Sequence, residues 1–105
     1  MPARLTHLDR GAYSLSGELD FDSVAKLCQS GRIMFAAQAP KTIDLSGVTR
    51  SDSSGVALLL VWLREAKMRA QTQTLPLRFL NMPAQMQAIT RLAELQHLLP
   101  IENSD

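Results

Sequence analysis

Asp52, Ser53 and Ser54 stand in a row ahead of Gly55 and the apolar run Val56 to Leu63. They follow a short apolar segment, Ile43-Asp44-Leu45, and a polar stretch, Ser46 to Ser51. A strand that feeds a helix through such a turn presents small polar groups at the edge of a sheet, where a ligand or partner reaches them. A carboxylate is favoured at a helix N-terminus because the first backbone N–H groups there have no partner. Either serine hydroxyl can cap the same groups, and that alone accounts for a serine at 53 or 54. Gly55 is read as a place where a neighbouring chain approaches closely. A phosphate on Ser53 would add about one and a half to two negative charges, which the helix end tolerates and a docked surface beside Asp52 does not.

The remaining reactive side chains do not assemble into a catalytic pattern. The chain has no GxxxxGK[ST] loop to cradle nucleotide phosphates. Ser54 lies outside a GxSxG context, and local sequence suggests no Ser-His-Asp trio. His7 and His97 have no second ligand at metal-binding spacing. Glu18 and Asp20 are paired acids, but the helix start beside them explains an acid equally well. Met34, Met68, Met82 and Met86 read as core filler. No catalysis, metal or cofactor is expected.

The elements that position Asp52 to Ser54 alternate along the chain. Ala3 to Leu8 and Ala12 to Leu15 predict a hairpin split by Asp9-Arg10-Gly11. Ser16 to Asp20 interrupts that pattern. Asp22 and Ser23 are candidate caps for a first helix carrying Val24, Leu27 and Cys28 on one face and fading by Ala39-Pro40. Thr42 to Leu45 is the next strand, and Ser53 or Ser54 opens a second helix running toward Ala70, with Gln71 to Thr74 as a polar exit. Leu75 to Leu80 is a strand with Pro76 near its start. Asn81-Met82-Pro83 caps a third helix with the stripe Met86, Ile89, Leu92 and Ala93. Leu98-Leu99 is a candidate last strand. The order implies an α/β layer fold with parallel pairing after the hairpin.

At about 100° per residue, Val56, Leu59, Leu60 and Leu63 share one side of the second helix, and Leu58, Val61 and Trp62 the opposite side. One apolar stripe is ordinary for a surface helix; two are not. The second stripe either meets another helix or loop of the same domain, or forms a partner-binding face centred on Trp62. Arg64, Glu65, Lys67 and Arg69 would rim that face.

Composition bounds the class. The chain has 105 residues, 46% hydrophobic and 20% charged, with net charge +1. That length is one domain able to bury about two-thirds of its unfolded surface. Nucleic-acid binding is not expected without a basic excess. A single cysteine, Cys28, makes no internal disulfide and fits a reducing compartment. Met1 to Arg10 lacks the apolar core of a signal peptide, and Val56 to Leu63 is too short to span a bilayer. A cytoplasmic location without direct membrane insertion is expected.

Three segments carry a resemblance. Ser16-Gly17-Glu18-Leu19-Asp20, Asp44-Leu45-Ser46-Gly47-Val48 and Asp52-Ser53-Ser54-Gly55 ahead of an apolar helix resemble the STAS domain. Bacterial anti-sigma factor antagonists, stressosome proteins and anion-transporter tails share that domain. The resemblance implies a single STAS domain over 1–105, with a four- or five-stranded mixed sheet and helices packed mainly on one side. In the anti-sigma factor antagonists, the serine after the aspartate is phosphorylated by a partner serine kinase; here it is Ser53. In a second branch, the small STAS subunits of the Mla phospholipid-transport systems, the domain binds the cytoplasmic ATPase of an ABC transporter. Val56-Ala57-Leu58-Leu59-Leu60 and Leu92-Ala93-Glu94-Leu95 with Leu98-Leu99-Pro100 look more like that branch, which often carries threonine at the Ser53 position.

The resemblance thus implies a non-catalytic regulatory module that docks on an ABC ATPase with its permease, peripheral to the inner membrane through that partner. The docking residues would be Asp52, Ser53, Ser54, Leu58, Val61, Trp62 and Glu65. The alternative is an anti-sigma factor antagonist switched at Ser53. A small-ligand or nucleotide sensor has only the helix N-terminus in its favour.

Overall fold

In the computed structural model, which describes residues 2–70 and 77–103, five strands and three helices alternate along the chain. The strands are β1 (Arg4–Asp9), β2 (Ala12–Leu19), β3 (Thr42–Ser51), β4 (Arg78–Leu80) and β5 (Ile101–Glu102). The helices are α1 (Phe21–Ala37), α2 (Ser53–Ala70) and α3 (Ala84–Leu92). Strand order in the sheet is β1-β2-β3-β4-β5, antiparallel for the β1–β2 hairpin and parallel for the other three pairs. Each crossover steps one strand in the same direction, and right-handed crossovers of that kind stack all the helices on one face. The burial pattern agrees. In β2, Tyr13, Leu15 and Leu19 are buried while Ser14, Ser16 and Glu18 are not. This mainly parallel sheet therefore keeps the polar/apolar alternation of a one-sided layer, where two-sided burial gives continuous apolar runs.

Local chemistry explains the element ends. The hairpin turns on Arg10 and Gly11, both at positive φ (47° and 85°), a geometry glycine enters without strain. β2 does not stop at Leu15, as the sequence predicted. It runs on to Leu19 with Gly17 at φ 92°, where an added Cβ would collide with the Pro2 backbone. β3 also outruns its predicted end at Leu45. Irregularities in the β2–β3 pairing place Leu45, Val48 and Ser51 on the buried side at three-residue spacing, so the period-two signal fails while pairing persists.

α1 is capped by Asp20, not Asp22. The Ser23 N–H donates to Asp20 Oδ1 (2.8 Å), and the Asp20 N–H donates to Ser23 Oγ (2.9 Å), a reciprocal capping box. The Tyr13 hydroxyl reaches across to the other end of α1 and donates to the Gln38 carbonyl (2.6 Å).

The third layer departs from the sequence pattern more. Asn81 and Met82 do not cap α3; Pro83 occupies the cap position without a side-chain bond. The buried face of α3 is Met86 and Thr90, with Ile89 half-buried, while Leu92 and Ala93 face outward. Thr90 is accommodated because its hydroxyl donates to the Met86 carbonyl (2.8 Å). Leu98-Leu99 is not a strand; the last strand is Ile101–Glu102. The predicted exit Gln71 to Thr74 and the start of the Leu75 strand, with Pro76, lie outside the described residues. Among the described residues no helix is long and apolar enough to cross a membrane.

Candidate functional site

β2 and β3 end side by side, and the helix that follows each begins there. The Asp52 N–H donates to the Leu19 carbonyl (3.1 Å), which ties the start of α2 to the end of β2 one residue before α1's cap. Asp52 is the cap of α2: its Oδ1 accepts from the Ser54 N–H (2.8 Å), and its carbonyl accepts from the Gly55 N–H (3.1 Å). Neither serine caps the helix, although the sequence allowed either to do so. Ser53 occupies the first helical position and is exposed; Ser54 follows it, half-buried.

The turn is braced from below. Ser51 is buried, its N–H donates to Gln85 Oε1 of α3 (3.0 Å), and its hydroxyl donates to the Asp52 carbonyl (2.8 Å). Gly55 is buried over this bond, and a Cβ there would overlap the Ser51 hydroxyl and press on Leu19. Its role is internal packing, not the approach of a neighbouring chain that the sequence suggested.

Beside the turn, Glu18, Leu19, Asp20, Arg50, Ser51, Asp52 and Gln85 line a shallow groove of about 310 Å³. The Ser23 N–H, helped by the Ser23 hydroxyl and neighbouring backbone N–H groups, holds the Asp20 carboxyl below the usual carboxylate range against the opposing effect of desolvation. Farther along β3, partial burial pushes Asp44 upward. Hydrogen bonds from the Ser46 backbone and hydroxyl and from Asn81 outweigh it, and the net shift is downward.

The predicted partner-binding residues divide. Asp52, Ser53, Ser54 and Val61 lie on the solvent side of α2, together with Ala57 and Arg64, at helical spacing. Leu58 and Trp62 do not. Leu58 is buried, and Trp62, at 2% exposure, fills the seam between α2 and α1. Its ring meets Phe35 edge to face (centroids 5.4 Å, planes at 80°) and sits where a Cβ on Gly31 would go. The second apolar stripe is thus mostly covered by α1, and no exposed face centres on Trp62. Among the described residues, the indole Nε1 of Trp62 is a buried side-chain donor without a hydrogen-bond partner. Glu65 is half-buried and turned toward α1, 3.8 Å from Arg32.

The sequence reading missed Phe21. It is the first residue of α1, 78% exposed, and immediately follows the Asp20 cap at the end of the sheet where Ser53 stands. Pairing Asp20 with Ser23 as a capping box would have placed it, since the first helical residue after such a box points outward. Among the described residues, no group of three or more His, Cys, Asp or Glu side chains is arranged to hold a metal ion.

Comparison with known proteins gives the family. The fold matches the anti-sigma factor antagonist SpoIIAA in its unphosphorylated form at TM-score 0.73 and 21% identity, covering 98% of this chain and 88% of that one. The phosphorylated form of the Bacillus cell fate determinant SpoIIAA matches at TM-score 0.68 and 22% identity, covering 98% and 91%. An anti-sigma factor antagonist from Mycobacterium paratuberculosis matches at TM-score 0.69 and 21% identity, covering 95% and 83%. At such identities these likenesses establish the fold. No curated protein sequence matches significantly. The family model described as Mlab, STAS domain matches residues 6–100, nearly the whole chain, and the chain therefore belongs to the STAS-domain family.

Proposed function

We propose that this STAS domain is a non-catalytic regulatory subunit that docks on the ATPase of an ABC phospholipid transporter and supports its assembly or activity. The observation that carries the reading is the exposed first turn of α2. Asp52 does the capping, so the Ser53 hydroxyl faces solvent without a part in the cap. Ala57 and Val61 continue that surface along the helix, and Phe21 flanks it on α1. A small polar end running into an apolar strip suits a protein partner better than a small molecule. The family model's Mlab description favours a transporter subunit as the context. Docking would act by binding one conformation of the ATPase more tightly than another.

The test is affinity purification of the tagged full chain from its own cells, with Ser53→Glu and Val61→Asp beside it. Recovery of an ABC ATPase with its permease is expected. Either substitution should lower recovery about tenfold or more while leaving the unfolding free energy within about 0.5 kcal/mol of the parent. If both variants recover the ATPase like the parent, the docking face lies elsewhere.

The second reading is an anti-sigma factor antagonist switched by phosphorylation of Ser53. It is favoured by the exposure of that hydroxyl at a helix N-terminus and by the match to both forms of SpoIIAA. It requires a mass gain of one phosphate in the presence of a cognate serine kinase, abolished by Ser53→Ala. Recovery of a kinase or sigma-factor regulator in place of the ATPase would establish it.

A further inference from the structure

The far half of α2 carries a second surface that neither the sheet nor α1 covers. Leu60, Leu63, Arg64, Lys67 and Met68, with Leu98 from the segment after α3, line an open groove of about 420 Å³. Leu63 is its buried floor and Leu60 is half-buried, while Met68 and Leu98 are 68% and 48% exposed. Single exposed apolar residues are ordinary, but several gathered around one concavity mark a place that binds. Both charged lining residues are cations, and among the described residues no acidic side chain joins them. A lysine in the last turn of a helix is favoured by the helix dipole, which accounts for Lys67. It does not account for Arg64, nearer mid-helix, or for the two exposed apolar side chains.

We infer that this groove is a second docking site and takes an acidic amphipathic helix from a partner protein. Apolar residues of that helix at three- and four-residue spacing would cover Leu60, Leu63, Met68 and Leu98. Its Asp or Glu side chains would lie against Arg64 and Lys67. Leu63 at the base with Leu60, Met68 and Leu98 around it accepts a ridge of apolar side chains, and the Arg64–Lys67 pair selects acids beside that ridge. The groove adjoins the Ser53 face at Leu60 and Arg64 but runs away from it, Lys67 lying about 21 Å beyond Ser53 along the axis at 1.5 Å per residue.

The experiment places the photo-crosslinking residue p-benzoylphenylalanine at position 68 of the full chain, in the cells that make it, and sequences the crosslinked peptide. The expected product is a segment of a second protein with apolar residues at helical spacing and at least two flanking acids. Arg64→Glu with Lys67→Glu should lower its yield about fivefold or more, with the unfolding midpoint unchanged. A crosslink to phospholipid, to another copy of this chain or to a segment without acids overturns the inference, as does no crosslink. Recovery of the ATPase without the crosslink refutes the groove alone. A crosslink obtained while the unsubstituted chain recovers no ATPase refutes the proposed function alone.

Discussion

Replacing Trp62 by alanine separates a packing role from a binding role. The indole is 2% exposed between Phe35 and Gly31, and truncating such a residue ordinarily costs about 3–5 kcal/mol. One correction has the opposite sign. Nε1 is buried without a partner, and an unsatisfied buried donor costs about 1–3 kcal/mol, which the alanine variant no longer bears. The net expectation is a loss of about 2 kcal/mol. For a domain of this size that lowers Tm by roughly 8–16 °C and leaves a folded majority at 25 °C if total stability is about 5 kcal/mol or more.

Urea unfolding followed by far-UV circular dichroism measures the loss. Fluorescence cannot report on the variant, because Trp62 is the sole tryptophan. In the parent the same uniqueness helps: emission should be blue-shifted and poorly quenched by iodide. Trp62→Phe is the control. It keeps an aromatic ring in the seam and removes the orphaned N–H, so it should cost less than half as much as alanine. Corrected for folded fraction, both variants should bind the partner like the parent. A cost below about 1 kcal/mol for Trp62→Ala together with weakened binding would refute this reasoning and restore Trp62 to the surface.

Gly55→Ala should destabilise by about 2–3 kcal/mol, because the new methyl overlaps the Ser51 hydroxyl; adding Ser51→Ala should recover part of that loss in a double-mutant cycle by urea titration. Asp52→Ala removes the cap of α2 and should cost about 1 kcal/mol in the same assay, with no change in the urea slope. Asp20 and Asp44 both have carboxyl pKa values lowered from 3.8 in the folded protein, so the unfolded chain binds more protons there. Their stabilising contribution is whole above that value and is lost as pH falls through the folded values. Asp20→Asn with Asp44→Asn should therefore flatten the acid limb of stability against pH, and an unchanged limb would show that other groups govern it.

How much of this was legible in the sequence depended on which signals are local. The alternation of strands and helices is, because the Asp and Ser residues before α1 and α2 mark helix starts beside apolar runs. The length of β3 is not. Irregular pairing with β2 moves Leu45, Val48 and Ser51 to three-residue spacing, and no period-two reading recognises a strand in that pattern. The roles on α2 were half legible. A wheel separates its two apolar stripes, but only the position of Gly31 and Phe35 on α1 decides that Trp62 is covered and Val61 is not. Leu92 misled for a related reason: its spacing from Met86 and Ile89 fits a helix face, yet α3 is short and ends where Leu92 has already left the sheet.

The two helix starts at the site use the same cap differently, and the difference bears on function. In α1 the third helical residue, Ser23, returns a bond to the Asp20 N–H. In α2 that position is Gly55, which has no side chain to return one, and the Asp52 N–H goes to Leu19 instead. The sheet thus takes over the reciprocal half of the box, and the serines between are released from that duty. Both first helical residues, Phe21 and Ser53, are left exposed at the same end of the molecule. Substituting either should change stability by no more than about 0.5 kcal/mol. Phe21→Ala is the sharper test, since it adds no charge and removes only apolar surface. It should leave the urea midpoint unchanged and weaken partner binding about tenfold or more. A variant that binds like the parent would confine the docking face to α2; one that unfolds would show that Phe21 is part of the core after all.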